Sequence, residues 1–322
     1  MKTILFVMNK KILITGGAGN LGSSLAVRLI QNPKNFVFIV DDLSTGSTTK
    51  LPSTQYANWV FKQASVNRLQ DIRPIMEQEQ FDYVFHYAAV VGVARTLEHP
   101  KKVLEDIDGI KNILDLSVQT DVKRVFYSSS SEVYGEPVEL PLHEERSPLN
   151  SKLPYAIVKN VGEGYFRTYK KEYDLCYTIF RFFNTYGPQQ SSDFVVTKFI
   201  AQAQAGQDIT INGSGLQTRT FCYVDDNLDI IEKILEKDLC KNDLINIGSA
   251  DEITILDLAK RIIKLTNSTS KIVHLPALKE GDMTRRQPDI TKMLDILGRD
   301  LVGLDEGLLK TIEQMAIIGV VV

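Results

Sequence analysis

The sequence predicts an α/β fold built around a doubly wound parallel sheet. Through the first half of the 322 residues, short apolar runs that suit buried strands alternate with segments of helical length. The first run, Lys11–Ile14, leads into the glycine-rich segment Thr15–Gly22, and a second run, Asn35–Val40, is followed by Asp41. A strand, a glycine-rich turn and a helix, with an acidic residue after the next strand, are typical of a Rossmann-type sheet.

Three glycines spaced three residues apart, Gly16, Gly19 and Gly22, define the turn after the first strand. The first permits the tight turn, the second lets the backbone approach a pyrophosphate, and the third lets the helix pack close to the strand. Asn20 and Leu21 lie where the helix opens, and its N–H groups and positive dipole end favour phosphate. All five residues are therefore candidate dinucleotide-binding residues.

Asp41 stands 19 residues after Gly22, the spacing expected for a carboxylate that binds the adenosine ribose hydroxyls. This carboxylate would repel a 2′-phosphate, and residues 42–49 contain no Arg or Lys. The sequence therefore predicts NAD rather than NADP, with Asp42 as a further cofactor-binding residue. The alternative is an acidic residue that caps a turn at the end of a strand.

The remaining elements of the first half continue this alternation. The first helix ends before Pro33, and Pro74 is expected to kink the second. Because ligands bind at the carboxyl ends of parallel strands, Ala88, after the fourth strand, and residues 128–131, after the fifth, become candidates. In chain order the elements are helix Leu21–Ile30, strand Trp59–Phe61, helix Leu69–Glu79, strand Phe81–His86, helix Lys101–Thr120, strand Arg124–Tyr127, helix Tyr155–Glu172 and strand Tyr177–Phe182.

The second half is less regular. We expect residues 1–183 plus 221–247 to form the cofactor domain, and residues 184–220 plus 248–322 to form a smaller α/β substrate-binding domain. Met1–Val7 is expected to extend the first strand. The predicted elements are helix Asp193–Ala205, strand Ile209–Ile211, strand Thr220–Val224, helix Asp225–Lys237 and helix Ile253–Leu265.

Composition limits the partners and the compartment. A net charge of −3 and a pI of about 5.9 give no general attraction to nucleic acid or to an anionic membrane. No apolar run approaches the ~20 residues of a membrane span. Because Cys176, Cys222 and Cys240 lie far apart without a paired spacing, we expect a cytoplasmic protein with no metal site.

Tyr155 and Lys159 are separated by one helical turn and follow the serine cluster 128–131. A phenol with a reference pKa near ~10 is a poor base at neutral pH. A nearby ammonium group, together with a positive nicotinamide ring, would lower that pKa. Tyr155 could then take a proton from a hydroxyl group while a hydride leaves the same carbon for NAD.

Taken together, these motifs resemble the extended short-chain dehydrogenases that modify nucleotide-diphosphate sugars, the NAD-dependent epimerase/dehydratase enzymes. The resemblance covers nearly the whole chain and is more specific for the family than for the substrate. Its segments are Thr15–Gly22, Asp41–Gly46, His86–Ala89, Ser128–Gly135, Tyr155 with Lys159, Arg181–Pro188, Arg219–Asp226 and Arg285–Asp289.

The resemblance implies roles for individual residues. Ser130 matches the residue that hydrogen-bonds the sugar hydroxyl and the catalytic tyrosine, while Tyr155 matches the base and Lys159 the residue that holds the nicotinamide ribose. Asn184 and Arg219 match residues near the substrate diphosphate. A further phosphate or nucleoside contact matches Arg285 or its neighbour Arg286, since a guanidinium binds two phosphate oxygens at once. A surface salt bridge is the alternative for Arg219.

Two positions depart from the family pattern. Where the family has Gly-Asp-Ile-Arg, with the Asp touching adenine, this chain has Ala64–Asn67, so Ser65 and Val66 are the expected cofactor contacts. The long helix before the serines often carries an Asn where this chain has Asp106, and Asp106 is therefore left out of the predicted site.

The family shares oxidation at sugar C4 by NAD, and the step that follows differs between members. Dehydratases use an Asp-Glu pair, but here the pair is Ser131 and Glu132, so the acid is missing and simple dehydration is disfavoured. The Ser-Glu pair is similar to that of UDP-glucuronate decarboxylases, which need a cation for the carboxylate, and Arg95 is a candidate. Pairing of Arg95 with Glu98 or another nearby acid is the alternative.

A 4-epimerase needs no residue beyond Ser130, Tyr155 and Lys159, and epimerisation is the first choice from the sequence. A 4-oxidase that releases a keto sugar, and a non-catalytic NAD-sensing protein, stay open. Glu132 either transfers a proton, binds a sugar hydroxyl or caps the turn.

The expected partners are small. The resemblance implies a UDP-, GDP- or dTDP-linked sugar. The many Lys, Asn and Ile residues are typical of a bacterial AT-rich genome and, by association, of polysaccharide biosynthesis. The helices Lys101–Thr120 and Tyr155–Glu172 resemble the pair through which family members form dimers, so a homodimer is expected.

Overall fold

A computed structural model describes residues 10–277 and 285–318. The expected extension of the first strand by Met1–Val7 therefore lies outside the described residues. The chain divides into two compact units. The first contains the described parts of Met1–Ser129, together with Ile157–Phe180 and Glu236–Leu244, and the second contains those of Ser130–Ala156, Arg181–Leu235 and Ile245–Val322.

Seven of the strands form one sheet in the order β11-β6-β5-β4-β1-β2-β3. The pairings of β1 with β2 and β4, of β2 with β3 and of β4 with β5 are parallel. The strands are β1 Lys10–Thr15, β2 Asn35–Asp41, β3 Trp59–Gln63, β4 Tyr83–His86, β5 Arg124–Ser130, β6 Tyr177–Phe182, β7 Thr185–Tyr186, β8 Ile209–Asn212, β9 Thr218–Thr220, β10 Cys222–Tyr223, β11 Asp243–Ile247, β12 Glu252–Thr254 and β13 Ile272–Leu275.

The sheet has the strand order of a doubly wound fold, with crossover from β1 to β2 on one side and to β4 on the other. Its middle strands read as continuous apolar runs because both faces are covered, and Ile12–Ile14 of β1 is fully buried. The carboxyl ends of β1 and β4 therefore lie side by side, with Thr15 opposite His86.

The helices follow the strands in the predicted alternation. They are α1 Asn20–Leu29, α2 Leu69–Glu79, α3 Val93–Glu98, α4 Pro100–Leu104, α5 Asp106–Gln119, α6 Pro154–Tyr173, α7 Val195–Gln204, α8 Val224–Glu236, α9 Ile255–Leu265, α10 Thr291–Leu297 and α11 Leu304–Ile318. None of the helices in the described residues is both long and apolar enough to cross a membrane.

The expected single helix Lys101–Thr120 is wrong in detail. The structure has α4 and α5, which meet at Glu105, and the preceding turn forms α3, which the sequence reading missed. Pro100 ends α3 and begins α4, since a proline disfavours helical conformation in the residue before it. Glu105 itself keeps right-handed helical angles, so the interruption between α4 and α5 is slight.

Short two-stranded sheets replace longer predicted elements in the second unit. The expected strand Thr220–Val224 is split at Phe221, because β9 pairs antiparallel with β12 whereas β10 pairs parallel with β7. β8 pairs parallel with β13. The helix expected from Ile253 begins instead at Ile255, because the Thr254 hydroxyl accepts from the N–H of Asp257 at 3.0 Å and caps it.

The contact-based division differs from the predicted domain boundaries. Residues 130–156 and 221–235, which the sequence reading placed with the cofactor domain, belong to the second unit. The β5 strand and the α6 helix each pass from one unit into the other, and such continuous elements carry no composition signal at a boundary. The roles of the two units stay predictions.

Candidate functional site

The glycine turn of the first unit is closed by its own backbone. Gly16 has φ +67°, and a Cβ built on it would lie 2.6 Å from the backbone nitrogen of Ala88. A Cβ on Gly22 would lie 2.4 Å from the carbonyl oxygen of Gly16. Gly19 donates its N–H to that same carbonyl at 3.1 Å. The turn therefore brings Gly16, Gly22 and Ala88 together at a spacing that only glycine allows at the first two positions.

The N-terminus of α1 has the features of a phosphate site. Asn20 is its first residue, and its first turn contains no acidic residue. Among the described residues, the buried Oδ1 of Asn20 has no hydrogen-bond donor. An acceptor of this kind is costly to bury alone, and a ligand hydroxyl or N–H group that donates to it would remove the cost. A phosphate is only an acceptor, so its fit rests on the glycine turn and on the N–H groups at the start of α1, where Asn20 and Leu21 lie.

Asp41 ends β2 as a nearly buried carboxylate, 8% exposed. Its Oδ2 accepts from the N–H of Ala18 at 3.0 Å and its Oδ1 from that of Leu43 at 2.8 Å. Burial raises the pKa of the carboxyl group, and the two N–H donors lower it. Because each carboxylate oxygen accepts more than one hydrogen bond, both oxygens can also accept from ribose hydroxyls. Asp42, in contrast, is exposed and accepts from Ser44.

Ser65 and Val66 follow β3 and are held through their backbone. The N–H of Ser65 donates to Asp71 at 3.3 Å, and the carbonyl of buried Val66 accepts from Asn112 at 2.8 Å. The N–H of Ala88 donates to the Thr15 hydroxyl at 3.3 Å. These contacts fix the positions of three predicted cofactor-binding residues.

Lys159 is 3% exposed on α6, with its charge inside the first unit. Its Nζ donates to Ser128 Oγ at 3.3 Å and lies 5.0 Å from the centre of the Tyr127 ring. Burial lowers the pKa of the ammonium group to about 8, against the carboxylate of Asp106, which raises it. At neutral pH Lys159 therefore stays charged although it is buried.

Sequence reasoning missed two groups that interact electrostatically with Lys159, namely His86 and Asp106. His86 Nδ1 lies 2.9 Å from Thr15 Oγ1, and burial, then the Lys159 charge, lower the pKa of its imidazole to about 3, which keeps it neutral. Asp106, which was left out of the predicted site, accepts from Val90 N–H at 2.7 Å and interacts electrostatically with Lys159. Asp106 lies at the start of α5, after β4, and this position was the sequence signal for a site residue. The resemblance argued against that role, because the family often carries Asn at this position.

In the second unit, Ser130 ends β5 and begins a short 3₁₀ turn, Ser131–Tyr134. The Ser130 hydroxyl accepts from the N–H of Glu132 at 3.2 Å. The Glu132 side chain accepts from Arg286 Nη1 at 3.0 Å, and the same nitrogen donates to Ser131 Oγ at 3.2 Å. The Arg286 side chain is only 5% exposed. A buried cation therefore stands beside the Ser-Glu pair.

The neighbouring arginine has a different environment. The Arg285 side chain is 52% exposed and binds Glu252 through two nitrogens, at 2.8 Å from Nε to Oε1 and 2.5 Å from Nη2 to Oε2. The hydrogen bond from Arg285 lowers the pKa of Glu252. The sequence could not distinguish the two arginines, since both belong to one motif, and the prediction of Arg285 as the substrate contact leaves out the buried Arg286.

The other predicted site residues are distributed between the units. Tyr155 is half-buried in the first turn of α6, one turn before Lys159. Asn184 has φ +37° and donates to the Thr220 carbonyl at 2.9 Å, and Arg219 donates to that of Thr218 at 2.7 Å. Arg95 belongs to the first unit and donates to the Val91 carbonyl at 2.9 Å.

Residues 12–248 match the sequence profile of the NAD-dependent epimerase/dehydratase family. This chain belongs to that family. The predicted family and the α/β fold class are thereby confirmed, as is the prediction of an NAD-dependent enzyme of the short-chain dehydrogenase type.

Three relatives of this family member are similar over nearly the whole chain. UDP-N-acetyl-alpha-D-glucosaminuronate decarboxylase of Bacillus cytotoxicus is 35% identical in an alignment 321 residues long that covers 95% of this chain and 98% of the relative. UDP-glucuronic acid decarboxylase 5 of Arabidopsis thaliana is 34% identical over 309 residues, 93% and 87%. The crystal structure of UDP-glucose 4-epimerase of Thermotoga maritima with UDP-glucose has a TM-score of 0.89 at 32% identity, covering 95% of this chain and 99% of that one.

Proposed function

We propose that this family member oxidises C4 of a nucleotide-linked uronic acid with NAD and then removes the carboxyl group. The observation that carries the proposal is the ion pair between the buried Arg286 and the partly buried Glu132, beside Ser131. A buried ion pair is weak evidence for stability, because desolvation of both charges costs several kcal/mol. Because the ion pair lies beside the Ser-Glu turn, we assign it a role in the reaction rather than in stability.

The cofactor side of the proposal uses the first unit. Bound NAD supplies a hydride acceptor, and later a hydride donor, at C4 of the sugar. Asp41 binds the ribose hydroxyls and disfavours a 2′-phosphate, the α1 N-terminus and Asn20 bind the pyrophosphate end, and Lys159 binds the nicotinamide ribose. The close-packed glycine turn and the two backbone-held oxygens of Asp41 support this assignment.

Proton removal from the C4 hydroxyl is assigned to Tyr155. Lys159, one turn further along α6, stays charged below about pH 8, and a positive charge near a phenol favours the phenolate. Ser130, at the end of β5, hydrogen-bonds the sugar hydroxyl. The products of this step are a 4-keto sugar and a reduced nicotinamide.

The second step needs a carboxylate next to the new ketone. In a 4-keto uronate, loss of carbon dioxide breaks the C5–C6 bond, and the electron pair moves into an enolate on the former ketone oxygen. Arg286 binds the carboxylate through its planar guanidinium, and a proton reaches C5 through Glu132. Return of the hydride to C4 completes the reaction. This assigns to Arg286 the role that the sequence gave to Arg95.

The second candidate is 4-epimerisation, which was the first choice from the sequence. It is favoured by the similarity to the Thermotoga maritima UDP-glucose 4-epimerase and to a putative UDP-glucose 4-epimerase of Methanocaldococcus jannaschii, 32% identical over 310 residues. Epimerisation uses Ser130, Tyr155 and Lys159 alone, and it gives no role to a buried charge pair.

Mass spectrometry of products separates these reactions. The protein is incubated with NAD and, in turn, UDP-glucuronate, UDP-N-acetylglucosaminuronate and UDP-glucose, then with dTDP- and GDP-linked sugars. Loss of carbon dioxide from a uronate supports the proposal. An unchanged mass with altered stereochemistry selects the epimerase, loss of water a dehydratase, and loss of two hydrogens an oxidase. No reaction with any uronate would overturn the decarboxylase.

Two finer expectations accompany the proposal. A homodimer formed through α5 and α6 should have twice the chain mass by light scattering at micromolar concentration, and a monomer would contradict it. A cytoplasmic location stays a prediction from the three unpaired cysteines, to be checked by cell fractionation.

A further inference from the structure

Asn246 of β11 is a fully buried polar side chain in the second unit. Its Oδ1 accepts from the Tyr134 hydroxyl at 2.8 Å. Its Nδ2 donates to the carbonyls of Leu142 at 2.9 Å and Asp289 at 3.3 Å. Its backbone N–H donates to Glu144 Oε1 at 3.0 Å. Asn246 therefore joins its own strand, β11, to two other segments of the chain, one at residues 134–144 and one at Asp289.

Two of these segments carry the charged pair of the proposed site. Tyr134 is the last residue of the 3₁₀ turn that contains Glu132. Asp289 lies three residues after Arg286, and its N–H donates to Leu142 at 2.8 Å. Leu142 in turn donates to the Gln287 carbonyl at 2.8 Å, so the chain around Arg286 is held on both sides of Pro288.

A buried arginine fixes the direction of these hydrogen bonds. Arg181, 2% exposed, donates through Nη1 to the Tyr134 hydroxyl at 2.8 Å and to the Glu144 carbonyl at 3.1 Å. A guanidinium has no acceptor, so the Tyr134 oxygen accepts from Arg181 and its hydrogen points at Asn246. Burial raises the pKa of Tyr134, which keeps this donor protonated. The amide orientation of Asn246 follows from that.

We propose that Asn246, acting through Tyr134, is a positioning residue that sets the relative placement of Glu132 and Arg286. The inference rests on the proposed function and adds a residue to it. Buried, fully connected polar networks hold their members within narrow limits, which reacting groups require. The network serves the step after C4 oxidation, since its two ends lead to the pair that acts in that step and not to the NAD-binding residues.

The test uses Tyr134→Phe, which keeps the ring and removes the hydroxyl that Asn246 needs. In single turnovers with a uronate substrate, absorbance of reduced nicotinamide reports C4 oxidation, and carbon dioxide release reports the second step. We expect oxidation within about twofold of wild type and carbon dioxide release slowed about 10- to 100-fold, because small misplacements of reacting groups are costly. Reduced nicotinamide and the 4-keto sugar then accumulate.

Tyr186→Phe is the matched control. It removes another buried tyrosine hydroxyl of the second unit, which donates to the Leu304 carbonyl at 3.3 Å, away from the network. The control should lower thermal stability without changing the ratio of the two steps. Equal slowing of both steps by Tyr134→Phe, or the same ratio in both variants, would show a purely structural role and overturn the inference.

A second variant covers the case in which Tyr134→Phe does not fold. Asn246→Asp keeps an acceptor for Tyr134 and loses the donor to Leu142 and Asp289, and it should show the same accumulation of 4-keto sugar. A wild-type ratio in this variant contradicts the inference. Failure of the wild-type protein to reduce NAD with any nucleotide sugar is a different result, since it rejects the proposed function itself.

Discussion

Glu132 and Arg286 are separated by 154 positions in the chain, yet Nη1 of the arginine lies 3.0 Å from Oε1 of the glutamate. The guanidinium is almost fully buried, so its charge depends on this partner and on Ser131 for compensation. Removing one member of such a pair typically costs about 3–5 kcal/mol, because the other charge stays buried. Variants at this pair must therefore be checked for folding before their kinetics are interpreted.

Arg286→Lys keeps the charge and removes the planar fork that binds a carboxylate. We expect carbon dioxide release from the uronate to fall about 100-fold, while nicotinamide reduction continues. Arg285→Lys is the neighbouring control, because its exposed side chain pairs with Glu252 instead. The Arg285→Lys substitution should change KM for the nucleotide sugar more than it changes kcat. Equal effects of both substitutions on kcat would assign no special role to the buried arginine.

Tyr155→Phe removes the proposed base. Turnover should fall about 100- to 10,000-fold, the usual contribution of a positioned acid–base group. Binding of NAD, measured by calorimetry, should be unchanged because the cofactor contacts of Asp41 and the glycine turn remain. Tyr165→Phe, further along α6, is the control and should stay active. Normal turnover of Tyr155→Phe would instead favour the non-catalytic sensor.

The pKa of Lys159 predicts an alkaline limit to activity. The group is charged below about pH 8 and neutral above it, so kcat/KM should decline as pH rises through about 8. Lys159→Arg keeps the charge at all these pH values, and any activity it retains should lack that decline. In the unfolded chain this group keeps its proton up to the ordinary pKa of 10.5. The free energy of unfolding of wild type should therefore increase as pH rises from about 8 to 10.5, because the unfolded state binds more protons in that range. An identical alkaline limb in Lys159→Arg would exclude Lys159 as its origin.

Asp41→Asn tests the selection of NAD. The variant loses the negative charge and one of the acceptors that serve Ala18 and Leu43, so NAD binding should weaken by about 10- to 100-fold, in line with about 1–3 kcal/mol for a buried hydrogen bond. Discrimination against NADP should decrease with it. Asp121→Asn is the control at an exposed carboxylate outside the predicted site, and calorimetry with both nucleotides is the measurement. Equal losses in both variants would contradict the assignment.

Gly22→Ala tests the close packing of the glycine turn. The new Cβ would be 2.4 Å from the Gly16 carbonyl oxygen and 2.8 Å from the Gly17 Cα, both backbone atoms, so the turn must shift. We expect a lower melting temperature and loss of NAD binding. Gly164→Ala, in α6, meets nothing within 4 Å and should stabilise the protein by about 1 kcal/mol. A stable, NAD-binding Gly22→Ala protein would refute the packing argument.

The first half of the fold could be predicted from sequence because its signals are local. Apolar runs mark β1 and β2, and the glycine turn and Asp41 follow them at fixed spacing. The second unit could not be predicted in this way. β9 and β10 are separated only by Phe221 but pair with different strands, and strand pairing depends on contacts that are distant in sequence.

The candidate site residues that stand in local motifs could also be predicted from the sequence, and the others could not. Ser130, Tyr155 and Lys159 stand in motifs, whereas the choice between Arg285 and Arg286 depends on which side chain is buried. That depends on contacts with a turn more than a hundred residues away, which local patterns do not encode. Asp106 was missed for a related reason, since only the folded first unit brings its charge to bear on Lys159.

Arg124, at the start of β5, is 1% exposed and forms an ion pair with Asp238, while its Nη1 donates to the Leu239 carbonyl at 2.8 Å. During synthesis this guanidinium emerges from the ribosome 114 residues before its carboxylate. A shortened gene product that stops at Phe183 would keep the positive charge and lack its counter-ion. A fragment of the first unit that keeps this ion pair therefore has to include residues 236–244, which belong to the same unit.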